Sequence, residues 1–74
     1  MSLVFMERDM YFSVRDDRNA VVGWLIKPAL NNPNSSFVFS GQVENEQALG
    51  TTDLKEAIHK VTAIVVARKF TAAP

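Results

Sequence analysis

MYFSVRDDRNAVVGWLIK, residues 10–27, decides the fold. Met10, Phe12 and Val14 alternate with Tyr11, Ser13 and Arg15. A period of two with aromatic and β-branched residues belongs to a half-buried strand, because successive side chains of an extended chain point to opposite faces. DDRN, 16–19, breaks the alternation with side chains that hydrogen-bond their own backbone and favour turns. AVVGWLIK, 20–27, is a second strand. Val22, Trp24 and Ile26 form one of its rows, and Val21, Gly23 and Leu25 the other. By this reading Val21 and Leu25 join Tyr11 over an outer sheet face. Two strands joined by a short polar turn make an antiparallel hairpin.

Beyond the hairpin, Pro28 ends the ladder because proline has no backbone donor. NNPNSS, 31–36, is a dense loop signal. FVFSGQVE, 37–44, reads as a third strand, with Phe37, Phe39 and Val43 inward against Val38, Ser40, Gln42 and Glu44. Gly41 within it marks a bulge or a close backbone approach. ENEQALG, 44–50, reads as a polar connection. On the N-terminal side LVFM, 3–6, either extends the first strand or forms a separate edge piece.

TTDLKEA, 51–57, opens a helix. Asp53 as N-cap with Glu56 three residues later has capping-box spacing, and Thr52 is the rival cap. Arg68 and Lys69 lie where the negative end of the helix dipole favours cations. The predicted helix runs from Leu54 to Phe70. Residues 1–74 are therefore expected to form one small α+β domain: a three-stranded antiparallel meander packed by one C-terminal helix, in the order β-β-β-α.

The helix carries two apolar stripes. At about 100° per residue, Leu54, Ala57, Ile58, Val61 and Val65 share one side, a natural lid over Met10, Phe12, Val14, Phe37 and Phe39. His59, Ala63, Val66 and Phe70 follow the same spacing on nearly the opposite side. A helix apolar on both sides is buried on both sides, and one small sheet covers only one of them. Either the N-terminal LVFM or the 44–50 segment folds over the second stripe, or another chain does. Contiguous apolar patches on monomers are small, and the commonest closed assembly is a two-fold dimer. The expectation is a homodimer, or contact with a protein partner, through His59, Ala63, Val66 and Phe70.

Size points the same way. A chain of 74 residues builds only a small core, and such chains commonly add disulfides, a metal or self-association. Cysteine is absent and His59 is the lone histidine, so neither a disulfide nor a structural zinc site is expected. Lys+Arg equals Asp+Glu at eight each, which weighs against a nucleic-acid partner and against docking on an anionic membrane. No apolar run approaches the length of a membrane span. The opening MSLVFMERD lacks the basic start and long apolar run of a signal peptide. A soluble cytoplasmic protein is expected.

Chemistry-bearing groups are sparse. Glu7, Asp9, Asp16 and Asp17 lie close in sequence, yet cation loops need a longer, defined ligand spacing. His59 has no nucleophile or orienting carboxylate at a telling position. The glycines, at 23, 41 and 50, form no phosphate loop. The chain is read as a non-enzyme with no cofactor and no metal.

The rhythm of three strands followed by LGTTDLKEAIHKVTAIVVARKF, 49–70, resembles the plant three-strand-one-helix DNA-binding domains and the arm-binding domains of integrases. That resemblance covers about the C-terminal third, and implies DNA reading by Arg and Trp residues on an exposed sheet face. The matching residue types here are Arg15, Trp24 and Lys27. Neutral charge and Val21, Leu25, Val38 and Glu44 depart from such a face, so no DNA-contacting residue is carried over. A nucleic-acid-binding module is the alternative reading; a small-ligand site between sheet and helix is the third.

Overall fold

The computed structural model describes residues 2–42 and 46–72, with side chains to Ala67. The class is α+β, as expected, but the sheet has five strands rather than three. They are β1 (Val4–Glu7), β2 (Tyr11–Arg15), β3 (Val21–Ile26), β4 (Val38–Gly41) and β5 (Gln47–Ala48), antiparallel and in sequence order. The helix α1 (Leu54–Ala72) follows. LVFM is thus mostly an edge strand of its own, and the polar connection contains a second edge. Val43 and Glu44, expected in the third strand, lie outside the described residues.

Register assigns every strand residue to a face, because directly opposed residues point the same way. On the inner face Phe5, Val14, Gly23 and Gly41 make one row. Glu7, Phe12, Leu25, Phe39 and Gln47 make the next. The outer face has three rows. One is Val4, Arg15 and Val21. The second is Met6, Ser13, Trp24 and Ser40. The third is Tyr11, Ile26, Val38 and Ala48.

The helix closes the inner face. Val14, Leu25 and Phe39 from the sheet and Ala57, Val61 and Val65 from the helix are wholly buried. Phe12, Phe37 and Leu49 complete that cluster, and Leu3, Phe5, Val22 and Ile64 pack against it.

Three expected core assignments change. Leu25, expected outside, is 0% exposed because it stands between Phe12 and Phe39. Met10 is 70% exposed: Arg8 N–H donates to the Tyr11 carbonyl in a tight turn, so alternation starts only at Tyr11. Leu54 is 40% exposed at the first turn of the helix. The two rows of β3 also exchange members. Between Val14↔Gly23 and Arg15↔Val21 the register slips by one, leaving Val22 as the extra residue of a bulge. Val22 packs on the core, and Val21 stands opposite Arg15 outside. A close approach falls at Gly23, where a Cβ would lie 2.7 Å from the Phe39 ring and from the Ser40 carbonyl oxygen.

Local chemistry fixes the connections. Asp16 Oδ1 accepts from the Arg18 and Ala20 backbone N–H groups, both at 2.9 Å, and Asn19 takes φ 65° to close the hairpin. Gly50, at φ 69°, turns the chain toward the helix. Asp53 is the N-cap: its Oδ2 accepts from Glu56 N–H at 3.2 Å. The return bond of a capping box is supplied by Thr51 instead, whose Oγ1 accepts from Asp53 N–H at 3.1 Å. Glu56 is left to pair with Lys60 at 3.9 Å. Asp53→Ala is expected to cost about 1 kcal/mol, lowering Tm by about 4–8 °C in a melt followed by circular dichroism.

Candidate functional site

The helix carries apolar residues on two sides. Ala57, Val61 and Val65 point into the core. His59 and Ala63 are exposed, and Val66 is half-buried, on the side turned away from it. Phe70 continues their spacing within the helix, and its side chain lies outside the described residues. Ala63 is the low point of this surface and is shared by two open grooves. One, of ≈ 300 Å³, runs to the β5 edge past Gln47, Ala48 and Lys60. The other, of ≈ 400 Å³, is lined by Ile58, His59, Thr62 and Val66. Thr62 adds no free donor to that groove, because its Oγ1 donates to the Ile58 carbonyl at 2.8 Å. The flanking charges Glu56 and Lys60 sit on the rim as an i,i+4 pair.

The second candidate set does not come together. Arg15 and Trp24 share the outer sheet face, in adjacent rows. Lys27 lies toward the other side, where its Nζ donates to Glu7 Oε2 at 2.7 Å and sits 5.1 Å from the centroid of the Phe12 ring. The alternation in MYFSVR and VVGWLIK was enough to separate them, since Lys27 has the parity of Leu25 and not of Trp24.

The outer face holds more than the sequence reading gave it. Trp24 stands beside Ser13, with Tyr11 and Arg15 on the diagonals of the same ladder. Met6 extends its row on β1, and Ile26 and Val38 extend that of Tyr11. Val4, Met6 and Tyr11 are 51%, 39% and 38% exposed. The signal for this face was the parity of Tyr11, Trp24 and Ile26, obscured by the bulge at Val22 and by the undecided role of LVFM.

Two of the acidic groups have local partners: Glu7 binds Lys27, and Asp16 closes its turn. Among the described residues there is no cluster of three or more His, Cys, Asp or Glu side chains able to hold a metal. Among them, too, no helix is long and apolar enough to cross a membrane. Comparison of the chain with protein-family models, with curated proteins and with solved structures finds no match.

Proposed function

We propose that this chain is a small non-enzymatic interaction module that pairs with a second copy along the His59–Ala63–Val66–Phe70 stripe. One observation carries the reading. The core side of the helix is filled by Ala57, Val61 and Val65, while Ala63 and Val66 lie on the far side from the only sheet in the described chain. Helices pack about 8–10 Å apart, closest where the contact residue is small, which makes Ala63 the natural crossing point. A two-fold axis near Ala63 and Val66 sets each copy's Val66 beside the other's Ala63. The exposed, paired charges of Glu56 and Lys60 then form a polar rim.

The absence of cysteine allows a direct test. Ala63→Cys places one thiol per chain close to the proposed axis. Facing positions there fall within the Cα separation of roughly 4.4–6.8 Å that a disulfide spans. Mild oxidation is expected to convert most of this variant to a covalent dimer on a non-reducing gel. Asp17→Cys, in the exposed hairpin turn, is the control and should remain largely monomeric. Equal cross-linking of the two variants contradicts the seam.

A further inference from the structure

The outer face of the sheet is a surface that the proposed dimer leaves uncovered, and its chemistry selects an occupant. Its three rows hold eleven positions, and Arg15 is the one charged side chain among them. Met6 and Trp24 stand in the adjacent row, and Tyr11 in the row beyond it. Tyr, Trp, Met and Arg are the residue types enriched where protein interfaces concentrate their binding energy. Five strands about 4.8 Å apart, of two to six residues at about 3.3 Å each, give a footprint of about 330 Å². That is less than half of one side of a standard protein–protein interface, so it suits a segment rather than a whole domain surface.

Symmetry argues against a second copy on this face, a step that rests on the helix seam proposed above. The helix stripe and the outer sheet face are opposite sides of one two-layer slab. Two-fold contacts through both have axes that do not meet, and such contacts build an open stack rather than a closed assembly. Charge argues against a polyanion. Nucleic-acid binding draws on several cations, whereas this face has one, and Lys27 is turned to the other side and paired with Glu7. Arg15 has donor capacity to offer at the end of its guanidinium, where Nη1 makes a long 3.3 Å bond to Asn19 Oδ1; its Nε is buried without an acceptor among the described residues.

We infer that the outer sheet face docks an apolar protein segment carrying a carboxylate that pairs with Arg15. About a dozen residues, as a helix, span the width of the sheet. The segment lies on the outer face as α1 lies on the inner one. A dimer joined through its helices presents two such faces pointing apart, which makes the module a bivalent adaptor.

Trp24 is the sole tryptophan and stands on this face, so its emission reports docking directly. The probe is a displayed library of random peptides of about 12 residues, selected on the full chain, with the enriched peptides then titrated against Trp24 emission. The expected result is an apolar consensus around Asp or Glu, with a blue shift of Trp24 on binding. Arg15→Glu is expected to weaken binding about 10-fold or more, the range for losing a charge-assisted bond, and exchange of the peptide carboxylate for Lys should restore it. Met6→Glu, at an exposed position, should weaken binding in a chain whose circular dichroism is unchanged. Val66→Asp should abolish the dimer and leave peptide affinity within about twofold, since distant sites are independent; failure of the seam and failure of the sheet site are thereby read separately. The inference is overturned by a basic consensus, by no enrichment over a Trp24→Ala control, or by tighter binding of an oligothymidine strand. A Trp24 shift produced by raising the protein's own concentration, unaffected by Val66→Asp, also overturns it, because a second copy then occupies the face.

Discussion

Phe39→Ala is expected to remove about 3–5 kcal/mol of stability, the range for deleting a fully buried aromatic ring. A domain of 74 residues has roughly 4–11 kcal/mol in total, so this one change takes from about a quarter to all of it. The upper end of the range is expected for a structural reason. The Phe39 ring occupies the space that a side chain at position 23 would fill, with its edge 2.7 Å from where a Cβ would stand. Glycine there has nothing to relax into the vacated volume, so the cavity stays open. The same geometry predicts coupling between the two positions. Gly23→Ala in the parent chain meets both the Phe39 ring and the Ser40 carbonyl oxygen at 2.7 Å and should destabilise by about 1–3 kcal/mol. In the Phe39→Ala background the ring clash is gone while the carbonyl clash remains, so the same change should cost less. Urea unfolding of the two single variants and the double variant measures that coupling. Additive losses would contradict the packing of Phe39 over Gly23.

Val66→Asp has the largest expected effect on assembly. In the free chain Val66 is half-buried on the outward side of the helix, so a carboxylate there keeps water and costs little beyond helix propensity, a few tenths of a kcal/mol. In a two-fold seam the same change buries two carboxylates near each other without cations, which costs several kcal/mol. The dimer dissociation constant should rise about 100-fold or more, with the thermal unfolding of the monomer little changed. Val65→Asp, one residue away, points into the core and should unfold the chain instead. The contrast between neighbours separates loss of assembly from loss of fold.

The legible parts of the fold were those where one local rule acts alone. MYFSVR and VVGWLIK alternate, and DDRN turns between them as its side chains dictate. Asp53 caps the helix because its carboxylate reaches the Glu56 N–H. The edges were harder. Gln47–Ala48 has neither β-branched nor aromatic residues, and becomes a strand only because β4 is there to pair with it. LVFM has strand composition, but its place beside β2 is a matter of register, which composition does not carry. The bulge at Val22 misled most, since one extra residue exchanged the two rows of β3 and put Leu25 in the core. Of the candidate sites, the helix stripe followed from angular spacing alone, and His59, Ala63 and Val66 do lie on the side away from the core. The set Arg15, Trp24 and Lys27 failed to gather because residue type was weighed there above strand parity.

The central claim is self-association through the helix. Light scattering coupled to size exclusion, over a concentration series of the parent chain and of Val66→Asp, tests it most directly. The parent is expected to approach twice the chain mass as concentration rises, while Val66→Asp stays at one chain mass with its helical circular dichroism intact. A parent chain that remains strictly monomeric at the highest concentration, or a Val66→Asp variant that doubles its mass alongside it, contradicts the claim.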